Sequence, residues 1–167
     1  MNLHIRDMVP DDFESIYEIN QEAVPQVFSL DAGEFSLLLD LCEYSRVAEI
    51  GDETAGYLFV LGKGLVYDGD EYNWFCQNLN EDFLYIDQVA IAGKWKGTGC
   101  GTKLYEDLEN YAVRNHRHAL ACEINYEPAN EASLAFHGKL GFRELSRMEA
   151  RGITVSLQVK RDLHENA

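Results

Sequence analysis

Between Phe83 and Val113 the chain changes its periodicity across three glycines, and that change constrains the fold more than any other stretch. Residues 83–91 read FLYIDQVAI, an apolar and β-branched run that predicts a strand. Residues 102–113 read TKLYEDLENYAV, which places Leu104, Tyr105, Leu108, Tyr111 and Ala112 on one helical stripe. Gly97, Gly99 and Gly101 therefore lie at a strand-to-helix turn. Glycine tolerates positive φ and lets a ligand approach the backbone closely. The helix that follows points N–H groups and a partial positive charge at whatever lies there. Such a turn is an anion cradle, most often for phosphate.

Two common phosphate patterns fail. A P-loop needs Gly-Lys-Ser/Thr after four spacers, and Thr102 stands five positions beyond Gly97. G-x-G-x-x-G fails because Thr102 and Leu104 occupy the two places where its third glycine would fall. Lys96-x-x-Gly99-x-Gly101 instead resembles the pyrophosphate loop of the GCN5-related N-acetyltransferases, the GNAT superfamily, written Arg/Gln-x-x-Gly-x-Gly/Ala. Lys96 departs from that pattern: it keeps the positive charge and loses the guanidinium fork. About thirty residues later, beyond a second strand-like run, comes NYEPANEASLAFHGKLGF. It resembles the superfamily motif Asn-x-x-Ala/Ser-x-x-x-Tyr-x-x-x-Gly-Phe at Asn130, Ser133, His137, Gly141 and Phe142. The wording is similar to that of a bacterial group of acetyltransferases.

The resemblance implies acetyl-CoA as cosubstrate and no metal. It assigns the pyrophosphate to Lys96, Gly97, Thr98, Gly99, Cys100, Gly101 and Thr102. It assigns the pantetheine arm to the strand end Val89, Ala90 and Ile91, whose backbone would also polarise the thioester. Asn130 and Ser133 would touch the pantetheine or phosphate region, with Phe136 flanking it. GNAT enzymes often recruit a base from the strand carrying Tyr85 and Asp87, and Glu123 acting through water is the alternative. His137 stands where the usual tyrosine protonates the departing thiolate. A histidine with an ordinary pKa near ~6.5 can do the same if a carboxylate or water raises its proton occupancy. The plainer alternative is a structural histidine bonded to a backbone carbonyl.

Elsewhere the residues bound the answer. A chain of 167 residues suits one domain over 1–167 with a sizeable core. No apolar run approaches the ~20 residues that span a bilayer, and the start MNLHIRDMVPDD lacks a secretory stretch. A cytoplasmic protein with no membrane partner is expected. Cys42, Cys76, Cys100 and Cys122 form no C-x-x-C pair, which argues against a zinc site and a disulfide framework and fits free thiols in a reducing compartment. The net charge of −15 is uneven: residues 1–90 carry 19 acidic and 3 basic residues, residues 91–167 carry 10 and 11. Nucleic acid is excluded as a partner. The acidic half is either a solvated surface or a face for a cationic acceptor.

In chain order, residues 3–7 read as a strand. A helix follows with Asp11 or Asp12 as its cap and Phe13, Ile16, Tyr17, Ile19 and Val24 as its stripe, stopped by Pro25. A second starts near Asp31 and carries Phe35, Leu38, Leu39 and Cys42. Between them Asn20, Val27 and Phe28 form a corner: beside the acceptor by resemblance, or simply packed. Residues 46–50 and 54–61 read as a hairpin. Residues 62–82 show no clear periodicity and are expected as a loop. Its Tyr67, Tyr72, Trp74 and Phe75, among five acidic residues, either enclose an amine or tuck under a surface loop. His116-Arg117-His118 reads as a basic helix end. Residues 119–125 form a strand, 131–140 a helix ended by Gly141, and 142–150 and 153–161 a closing hairpin.

The expected fold is mixed α/β, the GNAT acyl-CoA N-acyltransferase fold. It has a mostly antiparallel sheet of about seven strands, about four helices, and parallel neighbours at 83–91 and 119–125. The implied function is N-acetyl transfer from acetyl-CoA to a primary amine of a small molecule or peptide by direct attack, with homodimerisation common in the family. The alternative is an acyl-CoA sensor without turnover.

Overall fold

The computed structural model describes residues 2–167. Its strands are β1 (Leu3–Asp7), β2 (Tyr44–Ile50), β3 (Glu53–Gly62), β4 (Phe83–Ile91), β5 (Ala119–Glu127), β6 (Arg143–Ala150) and β7 (Ile153–Lys160). Its helices are α1 (Phe13–Ala23), α2 (Ala32–Leu41), α3 (Asp70–Asn78), α4 (Cys100–Arg114) and α5 (Glu131–Leu140). The strands form one mixed sheet in the order β1-β2-β3-β4-β5-β7-β6, with β4 and β5 parallel. The architecture is the expected one with a fifth helix. The chain divides into two compact units.

The first unit comprises, among the described residues, 2–61, 86–110 and 166–167. β1 and β2 pair antiparallel from Leu3–Ile50 to Asp7–Arg46, and β2 continues against β3. The hairpin turns at Gly51, whose φ of +64° suits glycine. Ile16, Phe35, Leu38, Val47, Tyr57 and Phe59 are buried here. α2 begins as the sequence predicts: Asp31 accepts from the Glu34 N–H at 2.8 Å, and Glu34 returns the contact to the Asp31 N–H at 2.9 Å. The start of α1 differs. Asp12 makes no cap; its carboxylate turns back to the Val9 N–H and to Arg6, 2.7–2.8 Å away. The α1 stripe is also narrower than expected, because Tyr17 and Val24 are exposed and Asn20 is fully buried in their stead.

Asn20 is the hub of a buried polar network. Its Nδ2 donates to the Phe28 carbonyl at 2.7 Å and lies 3.1 and 3.2 Å from Tyr57 Oη and Gln88 Oε1. Its Oδ1 accepts from the Leu30 N–H at 2.9 Å. Tyr57 Oη donates to Gln88 Oε1 at 2.8 Å, and Gln88 Nε2 donates to the Phe28 carbonyl at 3.1 Å. Satisfied amides of this kind keep buried polar groups from costing stability.

The second unit comprises residues 62–85 and 111–165. β5 pairs antiparallel with β7, and β7 with β6 through a turn at Arg151 and Gly152, both at positive φ. The expected loop at 62–82 contains α3. Tyr72, Phe75 and Leu79, at helical spacing, are buried, so Tyr72 and Phe75 are core residues rather than the walls of an amine cage. Glu71, also buried, pairs with Arg151. Lys63 Nζ closes the far end of α3 by donating to the carbonyls of Leu79, Asn80 and Glu81 at 2.8–3.2 Å.

Candidate active site

In the first unit, β4 leads through a single 3₁₀ turn, Gly93–Trp95, into the glycine segment. Thr98 Oγ1 donates to the Trp95 carbonyl at 2.6 Å and closes the turn. Gly97 and Gly99 take φ of +75° and +87°, and a Cβ at either would meet nothing within 4 Å. Backbone conformation, not crowding, is what calls for glycine there, and the space above both is open. The Lys103 N–H donates to the Gly99 carbonyl at 3.0 Å, so the first turn of α4 starts at the last positive-φ glycine. Lys96 is exposed beside it, and Gly101 and Thr102 are half-buried on that first turn. Cys100 faces inward, 1% exposed, and burial pushes its thiol up to about 11, which leaves its N–H as its contribution to a cradle. The arrangement fits a multiply charged phosphate ester.

On β4, Val89 and Ile91 are half-buried and alternate with buried Gln88 and Ala90. The Ala92 N–H donates to the Ala55 carbonyl at 2.8 Å, and Gly56 follows at close quarters. A Cβ on Gly56 would stand 2.5 Å from Ile91 Cδ1 and 2.8 Å from the Ala90 carbonyl oxygen. Asp87 shares the half-buried face of Val89 and Ile91. Burial first, then the Asp87 charge, pushes the Cys42 thiol up to about 12. Asn20 and Phe28 meet in the network described above; the Asn20 side chain is wholly internal, while Phe28 is 56% exposed.

In the second unit, the parallel register sets Tyr85 opposite Ala121. From there the Tyr85 phenol reaches along β5 and donates to Glu123 Oε2. Tyr85 is buried and Glu123 half-buried, and the Glu123 charge adds to burial in raising the Cys122 thiol. The two expected alternatives for a base, Asp87 and Glu123, thus fall in different units. The alternation of 83–91 shows Tyr85 beside Asp87 on one face, whereas its pairing with Glu123 depends on strand register that a single sequence does not display.

Asn130 caps α5, its Oδ1 accepting from the Ser133 N–H at 3.2 Å. One turn on, His137 is the buried residue of the helix. Its Nδ1 lies 2.8 Å from the Ser133 carbonyl and 3.2 Å from Ser133 Oγ. A carbonyl only accepts, so Nδ1 carries the hydrogen and Nε2 the lone pair. The rings of Phe136 and Phe142 stand edge-on to the imidazole at 5.3 and 5.2 Å. Burial lowers the His137 pKa, against the opposing pull of the Ser133 carbonyl, and the ring is neutral at pH 7. Gly141, at φ +99°, ends α5 as expected.

Among the described residues, no group of three or more His, Cys, Asp or Glu could hold a metal ion, and no helix is long and apolar enough to cross a membrane.

The fold is similar to several solved structures. Ard1 from Thermoplasma volcanium superposes with a TM-score of 0.77 at 16% identity, over 97% of this chain and 99% of its own. The acetyltransferase yncA from Salmonella typhimurium, solved with its cofactor acetyl-CoA, gives 0.73 at 21% identity over 100% and 98%. A ribosomal-protein-alanine N-acetyltransferase from Brucella melitensis gives 0.71 at 20% identity over 95% and 99%. No curated protein sequence matches the chain. The family model for the acetyltransferase (GNAT) family matches residues 6–142. The chain therefore belongs to the acetyltransferase (GNAT) family, whose members are acetyl-CoA-dependent acyltransferases.

Proposed function

We propose that the protein transfers the acetyl group of acetyl-CoA to a primary amine by direct attack within a ternary complex. The observation that carries this reading is the glycine turn: two positive-φ glycines, open space above them, and the first turn of α4 behind. Lys96 and the N–H groups from Gly97 to Thr102 would take the pyrophosphate. The backbone of Val89, Ala90 and Ile91 would hold the pantetheine arm, and an N–H near Ile91 would stabilise the oxyanion. Binding two substrates in one orientation supplies much of the rate.

For the proton of the attacking ammonium we assign Glu123, directly or through one water, with Asp87 as the alternative. The Tyr85 phenol supports this choice, because its hydrogen bond to Oε2 fixes the orientation of the Glu123 carboxylate. Asn130, Ser133 and Phe136 are assigned to the pantetheine region. His137 occupies the acid slot of the motif, but a neutral ring with its Nδ1–H bonded to the Ser133 carbonyl has no proton at Nε2 to give, so the thiolate is read as leaving unprotonated. A thiolate with a pKa near ~8.5 leaves readily, so its protonation need not limit the reaction.

The acceptor is read as the amine of a peptide or protein end, or a small amine. The similar ribosomal-protein-alanine N-acetyltransferase supports the peptide form, and the acidic first half of the chain supports a cationic one. The whole chain is read as one domain, since the family match draws on both units.

The burial of His137 and its bond to Ser133 favour a second reading, in which acyl-CoA is bound and not turned over. Calorimetric titration with acetyl-CoA, followed by a thiol-release screen over small amines, amino acids and peptides, separates the two. Transferase activity predicts binding and release with one amine class. Binding with no release for any amine supports the sensor. No binding overturns both.

A further inference from the structure

We infer that α3 is a positioning element for the Tyr85–Glu123 pair, with Tyr72 and Phe75 the residues that hold the Tyr85 ring. This rests on the reading of Glu123 as the base.

A tyrosine ring turns about two side-chain torsions, so where its hydroxyl lies depends on what packs against the ring. Tyr72 and Phe75, one turn apart on α3, both pack on Tyr85. Their ring centroids lie 5.4 and 5.8 Å from its own, at interplanar angles of 71° and 50°. Both are fully buried, and Tyr85 is 3% exposed. One edge-to-face and one tilted ring contact of this kind stabilise a specific ring orientation.

Tyr72 is itself fixed. Its hydroxyl donates to the Gly62 carbonyl at 2.6 Å and accepts from the Leu65 N–H at 2.9 Å. Tyr67 stands edge-on to it at 5.4 Å. The two ends of α3 are held by Glu71–Arg151 and by Lys63 at the carbonyls of Leu79, Asn80 and Glu81. Glu123 meets the Tyr85 phenol from β4, Leu157 across on β7, and the Cys122 thiol beside it on β5. The phenol donates to the carboxylate, and α3 sets the direction of that bond. A helix between β3 and β4 thereby governs the protonation of a carboxylate on β5.

The test follows the Glu123 carboxyl directly, by ¹³C NMR of protein labelled at glutamate side chains, with the signal assigned through Glu123→Gln. Loss of the phenol donor destabilises the carboxylate, so Tyr85→Phe raises the Glu123 midpoint by roughly one pH unit. Tyr72→Leu raises it by at least half that shift, and Phe75→Leu does the same where the first variant fails to fold. Tyr72→Phe keeps the ring, loses only the hydroxyl, and leaves the midpoint at the wild-type value while lowering Tm. Wild-type midpoints in both leucine variants, alongside a shifted Tyr85→Phe, overturn the inference, and so does an unmoved Tyr85→Phe. Shifted midpoints in a protein that releases thiol with no amine uphold the positioning and overturn the assignment of Glu123 as a catalytic base.

Discussion

A neutral imidazole enclosed by two aromatic rings couples folding to pH. His137 has a folded pKa below its ordinary 6.5, because burial disfavours the charged ring. Between the two values the unfolded chain binds more protons than the folded one. The stability that the neutral ring contributes is therefore complete above about pH 6.5 and is lost as pH falls toward the folded value. Melting curves recorded from pH 7.5 to 5 should show wild-type Tm dropping further than that of His137→Tyr. Parallel curves would mean that the ring charges without penalty. At the glycine turn the same scale of argument concerns conformation. Gly99 sits at φ +87°, where an L-residue costs about 1–2 kcal/mol. Gly99→Ala is expected to weaken acetyl-CoA binding about tenfold, the equivalent of ~1.4 kcal/mol, read by calorimetry. Unchanged affinity would remove this turn from the cradle.

Among the elements, β3 and the end of β4 leave no room for a side chain at Gly56. Gly56→Ala brings a methyl group to 2.8 Å from the Ala90 backbone oxygen, which cannot move aside as a side-chain tip can. Overpacking of this sort costs about 1–3 kcal/mol, or about 2–4 °C of Tm per kcal/mol in a chain of this length. A thermal melt within a degree of wild type would show that the strands part freely. Periodicity made most elements readable beforehand. β4 and α5 have their predicted limits, and the glycine turn lies where three glycines in five residues put it. α3 was hidden because Tyr72, Phe75 and Leu79 are interleaved with Asn73, Trp74, Gln77 and Asn78, so its stripe is one residue wide. The α1 stripe was overdrawn, since apolar character at Tyr17 and Val24 does not by itself bury them, whereas Asn20 is buried by partners distant in sequence. The Tyr85–Glu123 bond spans 38 positions and is set by parallel register, which no local pattern encodes.

Over the whole molecule, charge is the property that belongs to no single element. The first 90 residues hold 19 of the 29 acidic side chains and 3 of the 14 basic ones. If that field draws in the acceptor, the KM of a cationic amine rises between low and physiological salt, while that of a neutral one holds steady. Equal responses would reduce the asymmetry to a matter of solubility. The Asn20 network has a consequence on a different clock. Residues 24–31 have no regular secondary structure, and exposed loops of that kind ordinarily trade their amide hydrogens with solvent quickly. The Leu30 amide is bonded to a side chain with no exposure at all, and Leu30 itself is 3% exposed. In deuterated water it should keep its hydrogen about as long as the amides of β3 do, and Asn20→Ala should release it early.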